Sequence, residues 1–374
     1  MSADKLYQAP GDFELEVSVF GPGYGESVLV HLGRNRWLIV DSCVDPESGD
    51  PAPLQYFNRI GVKPNEAVKL VVATHWHDDH IAGLARIVEQ CSQAEFSCSQ
   101  ALTCKEFFEL AQFSRRSITT RPGMEEFSKV LSILAERKQG RLESRGPEWA
   151  SICKVLYVER DQQPLCEVTS LSPSSGQITL FLNQIGSLLP AKYDQQRRLV
   201  SVQPNHAAVV LWVRVENASV LLGSDLEETL NPNTGWSVIV ESRNRPAGKA
   251  SVFKVPHHGS RNADQPRVWS EMIEDKPHAV LTPFNLGLTS LPTKRDAERI
   301  CRRTENAYST ARLPKTIKRN PTVERTIKEV TRKFRTISSA MGHVRLRKAV
   351  DSDDSWNVDL IGDALPLDQL SKLL

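Results

Sequence analysis

The sequence predicts an α/β (α+β) chain in which two β-sheets pack face to face with helices outside. Three observations lead there. FELEVSVF (13–20), SVLVHL (27–32) and WLIVD (37–41) form an opening β-meander; a second strand-rich block runs from CKVLYV (153–158) to HAVLTPF (278–284); and in each half strands are followed by helix. At 374 residues the chain can bury a sizeable core without disulfides, as one large domain or two smaller ones.

The elements follow in order. FELEVSVF alternates apolar and polar residues with the two-residue period of a half-buried strand, and GPGYGE (21–26) and GRNR (33–36) read as turns between the first three strands. A proline-marked loop at 45–53 leads to a short helix at 54–60. AVKLVVAT (67–74) is a nearly continuous apolar run, the pattern of a strand covered on both faces. IAGLARIVEQ (81–90) reads as helix because Ile81, Leu84, Ala85 and Val88 recur at spacings of three and four. Residues 97–150 read as a helical insertion able to wall an active site, with its clearest helix opened by Pro122 and stopped by Gly140. The second block supplies strands at CKVLYV, ITLFL (178–182), AAVVLWVRV (207–215), SVLLGSD (219–225), SVFKVPHHGS (251–260) and HAVLTPF. Beyond Pro314, TVERTIKEVTRKFRTISSAM (322–341) is a basic amphipathic helix, and GHVRLRKAV (342–350) with SWNVDLIG (355–362) reads as a terminal hairpin. The expected division is a hydrolase-like unit over 12–300, including the insertion, and a basic extension over 301–374 packing on it.

Composition excludes several classes. Hydrophobic content of 40% and charged content of 25% are those of a globular protein, and no apolar run reaches the roughly 18 to 20 residues of a membrane span. MSADKLYQAPGDFELEV lacks a basic segment followed by an apolar one, so no secretory signal is expected. Seven cysteines without a CxxC pair argue against a disulfide framework and a cysteine zinc ribbon. A reducing, cytoplasmic compartment is the expectation. The net charge of +2 hides an asymmetry: residues 294–348 hold 17 Lys and Arg against 5 Asp and Glu, so this segment carries +12 and the remainder −10. Such a segment suits a polyanion, and equally a solvated helical surface.

THWHDDHIAG (74–83) places three of the nine histidines and two aspartates in six consecutive positions. His75 and His77 lie two apart just after a strand, and Asp79 and His80 lie at the following helix start. The first pair can point into one site and the second into an adjoining one. Imidazoles and carboxylates suit a borderline cation such as zinc, and a catalytic centre needs several of them plus an open position for water. The competing reading is a histidine-rich surface loop or a structural metal clip.

These residues resemble the metallo-β-lactamase superfamily, whose H-x-H-x-D-H signature appears as His75, His77, Asp79 and His80. LLGSD ends in Asp225, where that family places a carboxylate bridging two metals. VPHHGS, with His257 and His258, looks like the HHGS loop of the branch that includes the C-terminal hydrolase domain of ComEC-type DNA-uptake proteins, and GPGYGESVLVHL and WLIVDS are similar to that branch's first strands. The resemblance covers about residues 12–300. It implies a four-layer αββα sandwich and two divalent cations, with zinc first and manganese or magnesium as alternatives. The implied ligands are His75, His77, Asp79, His80, Asp225, His258 and His206, and Asp41 stands behind them. Asp79, His257 and His258 would carry the chemistry. One histidine of the 257/258 pair would ligate while the other contacts a phosphate or protonates the leaving oxygen, and spacing does not assign which.

Two departures from the family pattern stand out. The histidine usually found between the first cluster and the bridging aspartate has its counterpart near Asn205 and His206. Where ComEC-type domains end in Gly-His-Pro, this chain has Leu291 in TPFNLGLTSLPT, so the second cation would have fewer protein ligands or borrow His343 from the tail. GPGYGE does not run from a strand into a helix, which argues against a dinucleotide site and leaves Glu26 or Ser27 as a substrate contact. Cys43 reads as packing and Asp78 as a solvated loop carboxylate.

The HHGS resemblance, an aspartate bridge and the basic tail point to phosphoester bonds. The expected activity is a phosphodiesterase or nuclease on DNA or RNA. Lys315, Lys318, Arg319, Arg325, Lys328, Arg332, Lys333 and Arg335 would neutralise phosphates without reading sequence. Alternatives are a hydrolase of small esters, lactams or phosphodiesters, and a metal-stabilised module that binds nucleic acid or a partner. No membrane is expected as partner; a protein partner or a second copy of the chain is. Stand-alone proteins that look like this are often found among prokaryotic defence genes.

Overall fold

The computed structural model describes residues 7–22, 25–103, 122–140, 147–186, 204–229, 231–286, 289–313, 341–352 and 354–374. The first sheet contains β1 (Glu14–Gly21), β2 (Ser27–Leu32), β3 (Trp37–Val40), β4 (Val68–Ala73), β5 (Glu95–Ser99) and β6 (Glu148–Ala150), with β16 (Gly342–Ala349) and β17 (Asn357–Gly362) from the C-terminal end. Its order is β17-β16-β1-β2-β3-β4-β5-β6. The second sheet contains β7 (Lys154–Glu159), β8 (Cys166–Ser170), β9 (Leu211–Val215), β10 (Ala218–Leu222), β11 (Ala250–Lys254), β12 (Ile273–Leu281), β15 (Ala307–Ser309) and β18 (Leu365–Pro366), in the order β18-β15-β12-β11-β10-β9-β8-β7. A small hairpin, β13 (Phe284–Leu286) and β14 (Thr289–Leu291), stands apart.

Alternation along the strands sorts side chains into layers. Leu15, Val17 and Val19 of β1 join Val28, Val30, Val213, Val220 and Val252 in a core between the sheets, which strands with a two-residue period produce when one face is buried against a second sheet. The opposite face of the first sheet is covered by α1 (Ala52–Ile60), α4 (Leu84–Gln90) and α5 (Pro122–Gly140), through Phe57, Leu84, Val88 and Phe127. Helices α7 (Gly235–Glu241), α8 (Pro266–Glu271), α9 (Lys294–Cys301) and α10 (Leu367–Leu373) cover the second sheet, through Trp236, Val268, Ile300 and Leu367. Four layers result, as expected. Two shorter helices, α2 (Pro64–Ala67) and α3 (Asp78–Ile81), flank β4, and α6 (Ser175–Gly186) follows β8.

The tail is built into both sheets. β16 pairs with β1 over eight residues, from Glu14 opposite Ala349 to Gly21 opposite Gly342, and β17 pairs with β16 as the expected hairpin. The 322–341 helix lies outside the described residues apart from Met341, as do all eight basic residues from Lys315 to Arg335 named above.

One expected strand is a helix. ITLFL lies inside α6, because Ser174 and Gln177 form a reciprocal cap: Gln177 N–H donates to Ser174 Oγ at 3.2 Å and Ser174 N–H donates to Gln177 Oε1 at 2.8 Å. A short apolar run does not separate strand from helix, and the S-x-x-Q spacing before it does. The strand that pairs with β7 and β9 is CEVTS, β8.

The sandwich positions a site because β3, β4, β5 and β6 run parallel, as do β10, β11, β12 and β15. Asp41 follows β3, the histidine cluster follows β4, Asp225 follows β10 and His257–His258 follow β11. Loops from both sheets thus meet at the carboxyl ends of their parallel strands, where open α/β sheets form their sites. Among the described residues no helix is long and apolar enough to cross a membrane.

Candidate metal centre

Two groups of ligand-type atoms converge at that edge and share one carboxylate. Asp79, His80, Asp225 and His258 form one group and His75, His77 and Asp225 the other, with the ligand atoms of each within 4.8 Å of one another; a third grouping, Asp41 with His75 and His80, overlaps both from behind. In the first, His258 Nε2 lies 3.3 Å from Asp79 Oδ2 and 3.5 Å from Asp225 Oδ2, and His80 Nε2 lies 3.4 Å from Asp225 Oδ2. In the second, His75 Nε2 lies 3.1 Å from His77 Nδ1 and 3.8 Å from Asp225 Oδ2. Asp79, His80, Asp225, His258 and His75 are all buried.

The hydrogen bonds behind these side chains fix which ring nitrogen faces the centre. Asp41 accepts from Thr74 N–H, from Thr74 Oγ1–H and from His80 Nδ1–H, each at 2.7 Å. His80 therefore turns Nε2 inward. Because the Thr74 hydroxyl proton is given to Asp41, Thr74 Oγ1 accepts from His75 Nδ1–H at 2.9 Å, and His75 also presents an unprotonated Nε2. His258 Nδ1–H donates to the Thr282 carbonyl at 2.9 Å with the same result. A hydrogen bond to the far nitrogen that sets tautomer and ring direction is the usual support of a metal-binding histidine.

Electrostatics agrees with a site made for cations. Burial alone would lower His80 and His258, but Asp225 and Asp79 outweigh it, lifting His80 well above the usual imidazole range and His258 to about 9. Burial would raise Asp79 and Asp225, but His80 and His258 hold both well below the usual carboxylate range. Burial, together with neighbouring His80 and His77, pushes His75 down. The imidazoles and the two buried carboxylates thus favour each other's charged forms, and cations bound among them neutralise the carboxylates equally well. Among the described residues His80 Nε2 and Asp225 Oδ1 are buried without a hydrogen-bond partner, and a cation held between them would satisfy both. The imidazole and carboxylate donors present therefore fit divalent cations of the zinc type.

Backbone strain gathers here too. Asp41, Ser224, His257 and His258 all have positive φ, at 58°, 46°, 47° and 54°. Each costs on the order of 1 kcal/mol in a residue with a Cβ.

Not every expected site residue reaches the centre. His257 faces the rim, its Nδ1 at 2.9 Å from Asn262 Oδ1 and 3.4 Å from Glu227 Oε1, and its Nε2 at 3.3 Å from Asn205 Nδ2. His206 joins neither group; its Nδ1 meets Gln184 Nε2 at 3.5 Å, while neighbouring Asn205 takes the inward position and donates to Glu227 Oε1 at 2.7 Å. His343 does not substitute for the histidine absent at Leu291: it stacks on Phe20 at 4.2 Å beneath α1, and its Nε2 meets Ser18 Oγ at 2.8 Å. Leu291 pairs with Phe284 in the β13–β14 hairpin. Asp78 joins none of the ligand groups, as expected; it is half-buried and accepts from Gly123 N–H at the start of α5 at 2.5 Å. Glu26 and Ser27 are buried, with Ser27 Oγ donating to the Asp41 carbonyl at 2.9 Å, so neither faces substrate. Cys43 is buried packing, its thiol pushed far up by burial. Thr74, Thr282, Glu227 and Asn262 were not singled out from sequence; only Thr74, adjacent to the motif, carried a local signal.

The metallo-beta-lactamase superfamily matches residues 20–128 of the chain. No curated protein matches it. Among solved structures, MEM-A1, a subclass B3 metallo-beta-lactamase isolated from a soil metagenome library, is 15% identical over 68% of this chain and 80% of its own, with a TM-score of 0.33. The Rm3 metallo-beta-lactamase is 12% identical over 70% and 84%, TM-score 0.34. The metallo-beta-lactamase fold protein YhfI from Bacillus subtilis is 14% identical over 64% and 70%, TM-score 0.30.

Proposed function

We propose that the chain, of which residues 20–128 match the metallo-beta-lactamase superfamily and whose helix-flanked pair of sheets has that fold, is a metal-dependent hydrolase of phosphodiester bonds in nucleic acid. The observation that carries the hydrolase reading is the pair of buried ligand groups joined at Asp225. His75 and His77 would hold one cation, Asp79, His80 and His258 the other, and Asp225 both. Divalent cations bound in this way supply nucleophilic water near neutral pH and charge to neutralise a phosphoryl oxygen.

The remaining steps belong to the chain's own groups. His257, with 17% of its side chain exposed, is the titratable group on the rim of the centre. Its Nδ1–H donates to Asn262 Oδ1 and Glu227 lies beside it, which orients the ring on the rim for the role of general acid toward a leaving oxygen. Asn205 donates to Glu227 Oε1 at 2.7 Å and lies 3.3 Å from His257 Nε2, a contact that His257 gives up when it carries its proton on Nε2 toward a leaving oxygen. Asp41 keeps His75 and His80 in the ligating tautomer.

Phosphodiester substrates are favoured by the HHGS loop and by charge. Lys294, Arg295, Arg302, Arg303 and Arg312 are exposed, and the sequence continues with the basic residues from Lys315 to Arg335. Such a run neutralises phosphates irrespective of base sequence.

The test is incubation of the purified, metal-loaded protein with single- and double-stranded DNA and RNA under zinc, manganese or magnesium. Cleavage that EDTA stops and that His77→Ala and Asp225→Ala abolish is the expected result. Turnover of a chromogenic phosphodiester without any nucleic-acid cleavage overturns the substrate class. Salt-dependent binding without turnover under all three metals overturns the enzyme.

A further inference from the structure

Behind the Asp79/His80/Asp225/His258 group lies a charge pair that the proposed chemistry does not use. Lys254, the last residue of β11, and Glu26, in the turn before β2, are 1% and 2% exposed, with Nζ 2.6 Å from Oε1. Desolvating both ions costs several kcal/mol, and apolar residues of similar volume would give equal or better stability. Stability alone therefore does not account for the pair.

Its neighbours do. Glu26 N–H donates to the Asp79 carbonyl at 2.8 Å. Thr282 Oγ1–H donates to Glu26 Oε2, and with that proton committed both oxygens of Thr282 face His258 Nδ1–H as acceptors, the carbonyl at 2.9 Å and Oγ1 at 3.3 Å. Lys254 Nζ donates to the Ser224 carbonyl at 3.3 Å, in the left-handed residue that turns the chain into Asp225. Three of the four ligands in this group, each from a different loop, thus touch the pair directly or through one residue. Glu26–Thr282–His258 repeats the logic of Asp41–Thr74–His75: a buried carboxylate takes a threonine hydroxyl proton, and the threonine oxygen then accepts only from the imidazole. Among the described residues no hydrogen bond or ion pair joins the pair to His75 or His77.

We infer that Glu26 and Lys254 are positioning residues dedicated to the Asp79/His80/Asp225/His258 cation, setting the tautomer of His258 and the spacing of Asp79 and Asp225. The inference rests on the two-cation reading above and adds to it a division of labour: Asp41 serves His75 and His80, and the ion pair serves the remaining ligands of the one site.

The experiment separates the sites. In a His77→Ala background only the four-ligand group remains intact, and in a His258→Ala background only His75, His77 and Asp225. Zinc affinity is measured in each by competition with a chromogenic chelator, with and without Lys254→Met, and in parallel with Thr282→Val, which deletes one hydroxyl and leaves the carbonyl. Either substitution is expected to weaken zinc at least tenfold in the first background, the effect typical of groups that orient metal ligands, and by a several-fold smaller factor in the second, where Asp225 is the one ligand the pair reaches. A parallel loss in both backgrounds, or a lower melting temperature of the metal-stripped protein with unchanged affinity, assigns the pair to the fold and overturns the inference. Should neither parent background bind zinc, the two-cation reading itself falls, and the inference with it.

Discussion

Asp41→Asn is the substitution whose consequence follows most directly from the geometry. The side chain keeps its shape, and Asn Oδ1 still accepts from Thr74 N–H, an arrangement at 2.7 Å in the native site. The other native oxygen accepts two bonds, from Thr74 Oγ1–H and His80 Nδ1–H, and asparagine places an NH2 with two donors there. Turning the amide over would instead set NH2 against the Thr74 N–H and leave a buried backbone donor unsatisfied, at about 1–3 kcal/mol. The lower-energy response is reversal of the whole chain. The NH2 donates to Thr74 Oγ1 and to His80 Nδ1, Thr74 passes its proton towards His75 Nδ1, and both imidazoles become protonated on the Nε2 that faces the centre. Neither can then ligate without restoring the donor clash, so affinity for each cation falls about 10- to 100-fold, or about 1.4–2.7 kcal/mol. Calorimetric zinc titration at pH 7 measures the loss. A melting curve of the metal-stripped variant within a few degrees of the parent separates it from unfolding. Zinc bound as tightly by the folded variant as by the parent would refute the tautomer argument.

The other predictions concern separate parts of the molecule. His257→Ala lowers turnover roughly 10²- to 10⁴-fold, the range for loss of a general acid, while metal content by elemental analysis stays at the parent value; His258→Ala loses one cation per chain. Gly123→Ala destabilises the protein by about 1–3 kcal/mol in urea denaturation, because its Cβ would stand 2.3 Å from the Trp76 carbonyl and 2.8 Å from Asp78 Oδ1. His31 governs stability in mild acid. Its Nδ1–H donates to the Glu14 carbonyl and its Nε2 accepts from Asn35 N–H, so the folded site needs the neutral ring. Burial lowers it from 6.5 to about 4, with Arg347 and Arg36 adding and the Glu14 carbonyl opposing. A folded value below the unfolded one means that this stability is complete above pH 6.5 and is lost as pH falls towards 4, by about 2 kcal/mol between pH 7 and 5. Urea midpoints at pH 7, 6 and 5 should show a shallower decline in His31→Gln than in the parent.

What the sequence disclosed and what it withheld divide along a physical line. Strands such as FELEVSVF and AVKLVVAT were legible because burial on one face or both imposes a period on neighbouring residues. His75, His77, Asp79 and His80 were legible because one turn of chain carries four metal-binding groups. ITLFL was misread as a strand because its apolar run fits either period, and the deciding signal was the polar Ser174–Gln177 cap immediately before it. His206 looked like a ligand by type, yet the short helical turn that holds it (204–207) directs Asn205 inward. The residues that orient the centre lie furthest from any local pattern. Thr282 meets Glu26 across 256 positions, and Lys254 meets it across 228; what joins them is that parallel strands of two sheets end at one edge. A ligand type is a property of a residue, whereas a ligand's tautomer is a property of whatever the fold brings behind it. Substitutions that preserve every histidine and aspartate of the motif can therefore still weaken metal binding about 10- to 100-fold, and the threonines and the Glu26–Lys254 pair are where such substitutions act.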